Sequence, residues 1–238
     1  MRLRFSLIIF LSLLTLTLQA ATLPDLTLDD SLIPFNSIEG KDLLQRSQHK
    51  NDVFNLMPYF ATQQTLTYCG PTSASMVLNA SNLQRPTSLL LAPYQLFEQD
   101  NFFTPEVLNI TTPAKVSMGG MTIDELSNAI KTFKLNVQLH RGTQISENKF
   151  RQDAINAVSS DTQFIIVNYH RQALKQIGSG HFSPLAAYDK KSDRFLLLDV
   201  SRFKYPAIWV KTTDLYQAII SNADLNEGLS RGYLMITE

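Results

Sequence analysis

Four apolar runs crowd the C-terminal half of this chain and constrain its fold more than any other feature. Phe164–Tyr169, Phe182–Tyr188, Phe195–Val200 and Arg231–Thr237 are rich in β-branched and aromatic residues, so each reads as a buried strand. The earlier half carries helical signals instead. A helix starts near Cys69, where Pro71 suits a first turn and Ala74, Met76, Val77, Leu78 and Ala80 continue it. Thr122 with Glu125 three residues on makes a capping box for a helix to about Phe133, with Ile123, Leu126, Ile130 and Phe133 on its apolar face. A further helix over 146–158 turns Phe150, Ala154, Ala157 and Val158 to one side, and Thr213–Ser221 reads as one more. Helices first and mostly sequential strands later predict an α+β domain with helices packed on an antiparallel sheet.

The 238 residues, 44% hydrophobic and 18% charged, suit one domain with a sizeable core. Lys plus Arg and Asp plus Glu both count 21, and no basic run stands out, so nothing argues for nucleic acid. Arg2 and Arg4, the apolar Phe5–Leu18 run and Gln19-Ala20-Ala21 predict a secretory signal peptide over residues 1–20, cleaved near Ala20/Ala21. A bilayer takes about 20 apolar residues, more than this run offers, so the expectation is a protein exported to the periplasm without stable membrane insertion. Residues 21–56 read as an N-terminal lead-in, extended over Thr22–Phe35, and 57–238 as the catalytic domain. Asn82–Pro113 reads as irregular structure.

Cys69 is the single cysteine, which excludes an internal disulfide and a multi-thiolate metal site. A lone thiol in an exported chain is an inert core residue, an intermolecular linker or a nucleophile. At a helix N-terminus, unpaired N–H groups and the positive end of the helix dipole stabilise a thiolate, the form that attacks. Gly70 leaves space beside the sulfur. Gln63 upstream carries an amide suited to an oxyanion together with the Cys69 N–H, and Gln64 competes for that role.

Of the four histidines, His49, His140, His170 and His181, the last stands at the entry to a strand in Gly178-Ser179-Gly180-His181-Phe182. A hairpin centred on Lys191 sets residue 183 opposite 199 and makes His181 and Asp199 diagonal neighbours, about 7–8 Å apart. Asp199 follows Leu196-Leu197-Leu198, so its carboxylate needs a partner if buried. A cysteine on a helix, then a histidine and an aspartate on strands, is the order that thiol catalysis uses.

Two stretches, Gly180-His181-Phe182-Ser183-Pro184 and Leu198–Pro206 with Trp209-Val210 following, resemble phytochelatin synthase. Tyr68-Cys69-Gly70 with Val77–Ala80 is similar to the family's nucleophile helix, and Ser230–Tyr233 to its closing strand. The resemblance covers Met57 to Thr237. It implies a papain-like fold and transfer of the γ-glutamylcysteinyl unit of glutathione, with glycine leaving. It implies Cys69, His181 and Asp199 as catalytic triad, Gln63 as oxyanion-hole donor, and Asn168, Asp224 and Arg231 as substrate-binding residues. A guanidinium suits that last role because its fork holds a carboxylate at two points. Pro71-Thr72 departs from the small or apolar residues that many relatives carry after Cys-Gly, and the sequence ends soon after the closing strand, where eukaryotic members continue into a cysteine-rich region.

The expected partner is glutathione, taken up by hydrolysis to γ-glutamylcysteine or by a second glutathione to give a phytochelatin. No covalently bound cofactor and no protein-borne metal site are expected. A divalent metal, cadmium or zinc, would enter as activator through the glutathione thiolate, in keeping with a response to metal ions. The oligomeric state is open, a homodimer included. Two other readings stand beside this one: a papain-like peptidase of the double-glycine leader type, and a non-catalytic periplasmic protein whose thiol binds ligand or metal.

Overall fold

The computed structural model describes residues 26–221 and 229–238, so the expected signal segment lies outside the described residues. Among the described residues, seven strands form one sheet: β1 (Ile33–Pro34), β2 (Asn136–Arg141), β3 (Gln163–His170), β4 (Gly180–Asp189), β5 (Arg194–Leu197), β6 (Ile208–Lys211) and β7 (Gly232–Thr237). Their order is β1-β6-β5-β4-β3-β7-β2, with every pairing antiparallel. The helices are α1 (Ile38–Arg46), α2 (Asn51–Leu56), α3 (Cys69–Ala80), α4 (Pro105–Leu108), α5 (Pro113–Gly119), α6 (Ile123–Lys131), α7 (Glu147–Val158) and α8 (Thr212–Ile220). The α+β class expected from the sequence is therefore the observed one.

The central strands β3, β4 and β5 are buried on both faces, which is why they are apolar runs rather than alternating ones. Along β3, Phe164 and Ile166 join the core under α2, α3 and α6, while Ile165, Val167 and Tyr169 join the core under α7 and α8. Helix α3 lies in the first layer with every residue from Cys69 to Asn79 buried. A helix hidden on all sides is anchored by packing more than by propensity, at about 1.5–3 kcal/mol for each large apolar side chain. The N-terminal end of α3 is thereby a rigid mount.

Local signals predicted several elements closely. The Thr122/Glu125 capping box forms, and α6 ends at Lys131, slightly before the expected Phe133. Ser146 caps α7, whose Phe150, Ala154, Ala157 and Val158 are fully buried. Within the lead-in, α1 and α2 were not anticipated; they put Leu43 and Leu56 in the core, and the Trp209 indole donates to Gly40 O at 3.0 Å. Strands β2 and β6 were not anticipated; both are short, and β2 alternates exposed and buried residues at the sheet edge.

The β4–β5 hairpin corrects the expected register. At the turn Asp189 pairs with Arg194, one residue off a hairpin centred on Lys191. A bulge between Leu185 and Ala187 then absorbs one residue, and the Leu198 N–H bonds Pro184 O at 2.9 Å. The expected neighbourhood of His181 and Asp199 is restored by that bulge. Strand β5 itself stops at Leu197, short of the expected Val200, because the Asp199 N–H turns back to Leu197 O at 3.2 Å.

Candidate active site

Cys69 is the first residue of α3, and Thr72 is the first whose N–H bonds backward along the helix, to Tyr68 O at 3.0 Å. The N–H groups of Cys69 and Gly70 precede that first bond and face the thiol end of the helix. Pro71 sits in the same unbonded turn, where its missing N–H costs nothing. Ser73 Oγ donates to Phe182 O at 3.3 Å and ties α3 to β4. The helix that carries the thiol is thus fixed to the strand that carries the imidazole.

His181 is buried beside Cys69 and turns Nε2 to Asp199 Oδ1 at 2.9 Å. The Tyr169 ring meets the imidazole edge-on at 5.6 Å between centroids and holds its plane. Burial pushes the Cys69 thiol up, but the charge of His181, hydrogen bonds from His181 and from the Phe182 backbone, and the charge of Arg171 outweigh it, so the thiol lies below its ordinary value. Burial and Arg171 both push His181 down, yet Asp199 and Cys69 bring it above its ordinary value. Burial would raise Asp199; His181 and Arg171 instead hold it far below the usual carboxylate range. A lowered thiol beside a raised imidazole favours the thiolate–imidazolium pair.

Asp199 is fully buried and heavily coordinated. Its Oδ1 accepts from the Ser201 N–H at 2.8 Å and from Arg171 Nη2 at 2.8 Å. Arg171 Nη1 stands 2.8 Å from Oδ2, an ion-pair contact in which no hydrogen points along the line of a bond. Ser201 reaches further, since its Oγ donates to Gln63 Oε1 at 2.7 Å. The Gln63 amide nitrogen donates to Thr65 O at 2.7 Å, leaving its second N–H for another acceptor. Gln63 is buried, whereas Gln64 is exposed with its amide turned to Asp100. Burial and fixed orientation favour Gln63 over its rival.

A cleft of roughly 180 Å³ opens over the thiol, lined among others by Thr67, Cys69, Gly120, Asn168, Ser179 and Arg231. Arg231 is 6% exposed and donates from Nη1 to Asn168 Oδ1 at 3.1 Å, while Asn168 Nδ2 donates to His181 O at 3.4 Å. Asn168 and Arg231, two of the residues expected to bind substrate, are thus brought together at one wall beside the thiol. Asp224, the third, lies outside the described residues. A larger groove of about 350 Å³ runs along the flank of α3 past Thr72, Ser75 and Asn79, but contains neither Cys69 nor His181. Of the other histidines, His49 bonds Ser159 and His140 stacks on Tyr233.

Two residues of this site were not anticipated as functional: Arg171 and Ser201. The signal for the first was indirect, the need of a buried Asp199 for a partner. The small residues before His181 also take a different meaning. A Cβ at Gly180 would stand 2.3 Å from Arg231 Nη1, and one at Gly178, where φ is +128°, 2.9 Å from Arg171 Cδ. These glycines admit the protein's own arginines.

Among the described residues no group of three or more His, Cys, Asp or Glu side chains is arranged to hold a metal ion, and no helix is long and apolar enough to cross a membrane. The family model described as phytochelatin synthase matches residues 23–233. The chain is 35% identical to glutathione gamma-glutamylcysteinyltransferase 2 of Arabidopsis thaliana, over 89% of this chain and 46% of the relative. It is 33% identical to glutathione gamma-glutamylcysteinyltransferase 3 of Lotus japonicus, over 87% and 42%. For the glutathione gamma-glutamylcysteinyltransferase of Schizosaccharomyces pombe the identity is 27%, over 86% and 48%. The chain spans about half the length of these curated relatives.

Proposed function

The chain belongs to the phytochelatin synthase family, and from that premise we propose that it is a glutathione γ-glutamylcysteinyltransferase with a papain-like fold that also hydrolyses glutathione. The observation that carries this reading is the buried His181–Asp199 pair beside Cys69, whose thiol end opens to a cleft walled by the buried Arg231–Asn168 pair.

In the reaction, the Cys69 thiolate attacks the carbonyl of the cysteine–glycine bond of glutathione. The oxyanion takes hydrogen bonds from the Cys69 N–H and the free N–H of Gln63. As the C–N bond breaks, imidazolium His181 gives its proton to the departing glycine amine, and a γ-glutamylcysteinyl thioester remains on Cys69. Neutral His181 then takes a proton either from water, releasing γ-glutamylcysteine, or from the amine of a second glutathione, releasing a phytochelatin of two repeats. In both cases the thiolate is regenerated. Asp199 keeps the ring oriented throughout. Arg231, with Asn168 and Asp224, receives the free glutamyl end, where a guanidinium pairs with a carboxylate. Cadmium or zinc enters as part of the substrate, as a glutathione thiolate complex, and the enzyme works after export to the periplasm.

The test is mass spectrometry of purified protein incubated with glutathione, with and without cadmium or zinc, beside Cys69→Ala. Glycine with γ-glutamylcysteine or a two-repeat phytochelatin is expected, absent in the variant. Untouched glutathione in every condition would reject the reading in favour of a leader-type peptidase or a thiol-binding protein.

A further inference from the structure

We infer that Arg171 is a fourth, positioning member of the site: a buried cation that locks Asp199 onto His181 and balances the charges around the thiol–imidazole pair. The inference rests on the reading of Cys69 as nucleophile.

The chain invests several features in placing this one side chain. Strand β3 ends at His170, and Arg171 opens a short 3-10 turn whose N–H bonds Ser179 O at 2.9 Å. Gln176 closes that loop, donating its N–H to Arg171 O at 3.0 Å and accepting from Arg171 Nη1 at 2.8 Å. The Tyr169 and Tyr205 rings flank the guanidinium at 6.0 and 5.4 Å. Gly178, in a backbone conformation that side chains disfavour, leaves the space its methylenes occupy. The fork then meets both oxygens of Asp199, so the carboxylate cannot rotate away from His181 without losing both contacts. Such a pair is a poor way to gain stability: Arg171 is 2% exposed and Asp199 not at all, and a buried ion pair is often no better than apolar residues of the same volume. A role in the chemistry explains what stability does not.

The charges facing the pair come from every element around it. Cys69 comes from α3, Tyr169 from β3, His181 from β4, Asp199 and Tyr205 from the segment between β5 and β6, and Arg171 from its own turn, with the Lys204 ammonium near Gly178 at the edge. Thiolate, imidazolium, carboxylate and guanidinium sum to zero. With the guanidinium gone, the negative charge of Asp199 acts unopposed and the thiol holds its proton more tightly. A cation that merely braced a loop would leave that proton alone.

Because Cys69 is the single cysteine, the rate of iodoacetamide alkylation against pH reads this thiol without any substrate. Failure of the inference is thereby separate from failure of the glutathione reading. The wild-type profile should rise twice, where Cys69 and then His181 lose their protons. In Arg171→Gln the first rise should move to higher pH by about one unit or more. Arg171→Lys keeps the charge and loses the fork, so the first rise should stay within about half a unit while the second falls toward the ordinary imidazole range. A folded Arg171→Gln variant with its first rise at the wild-type position overturns the inference. Should circular dichroism show that variant unfolded, Arg171→Lys decides alone, and an unmoved second rise overturns the inference.

Discussion

Two aspartates stand at opposite ends of the β4–β5 hairpin, and each is held at both oxygens by an arginine from elsewhere. At the turn, Arg46 Nε and Nη2 from α1 reach Asp189 at 2.9 and 2.8 Å. At the open end, Arg171 reaches Asp199 at 2.8 Å twice. Arg46 makes two hydrogen bonds and Arg171 one hydrogen bond and one ion-pair contact, and the surroundings differ more. The Arg46 side chain is 42% exposed and that of Arg171 3%. Water screens the first pair, which pins α1 to a turn and does little more. The second pair is closed off from solvent, so its charges are little screened and reach the His181 ring that Asp199 contacts. An arginine–aspartate pair is therefore a solvent-screened clip in one place and an unscreened charge pair beside the imidazole in the other.

The strongest way to break this comparison is to remove each aspartate. Asp199→Ala should lower glycine release by on the order of 10³-fold or more, since the imidazole loses its orienting partner. It should also cost about 3–5 kcal/mol of stability, because Arg171 is left buried and unpaired. Asp189→Ala should leave turnover near wild type. Steady-state kinetics and urea denaturation of the two variants measure both effects, and equal losses of turnover would sink the distinction.

A smaller effect should follow from Gly180→Ala. The new methyl group displaces only the far end of Arg231, so the fold should stand while the cleft loses a placed cation. The expected result is a KM for glutathione raised about tenfold or more, the scale of one charge-assisted hydrogen bond, with the melting temperature nearly unchanged. An unchanged KM would show that Arg231 does not receive the substrate.

The pH dependence separates the two ends again. At the open end, turnover should rise with pH below the ordinary thiol range and fall above the ordinary imidazole range, as a lowered Cys69 and a raised His181 require. At the turn, the hydrogen bond from Arg46 is the largest influence on Asp189 and holds it at about 2 against an ordinary 3.8. A carboxyl lowered on folding contributes stability that is present above 3.8 and lost as pH falls toward about 2. The least of these effects is therefore in Arg46→Ala: a slight loss of melting temperature at neutral pH that vanishes by about pH 2 and shrinks in high salt. Thermal melts across that range would detect it.

Much of this was legible in the chain. Pro71 and the small residues after Cys69 announced a helix start, Thr122 and Glu125 a capping box, and four apolar runs a buried sheet, because caps and strand composition act within a few residues. His181 and Asp199 were placed as neighbours by strand pairing, although the register at the turn was off by one and the bulge at Ala186 compensated. The sheet-edge strand β2 was missed because its short alternating pattern carries little apolar signal.

What the sequence by itself determined was the central strands and the main helices, the order of cysteine, histidine and aspartate along them, and the start of a helix at the thiol. Only the tertiary structure decided that Gln63 rather than Gln64 is buried against Ser201, that Gly178 and Gly180 make room for Arg171 and Arg231, and that Arg171 rather than a solvent ion neutralises Asp199. The physical reason is desolvation. A charge acquires its role from how much water surrounds it, and that depends on segments distant in the chain closing over the same point.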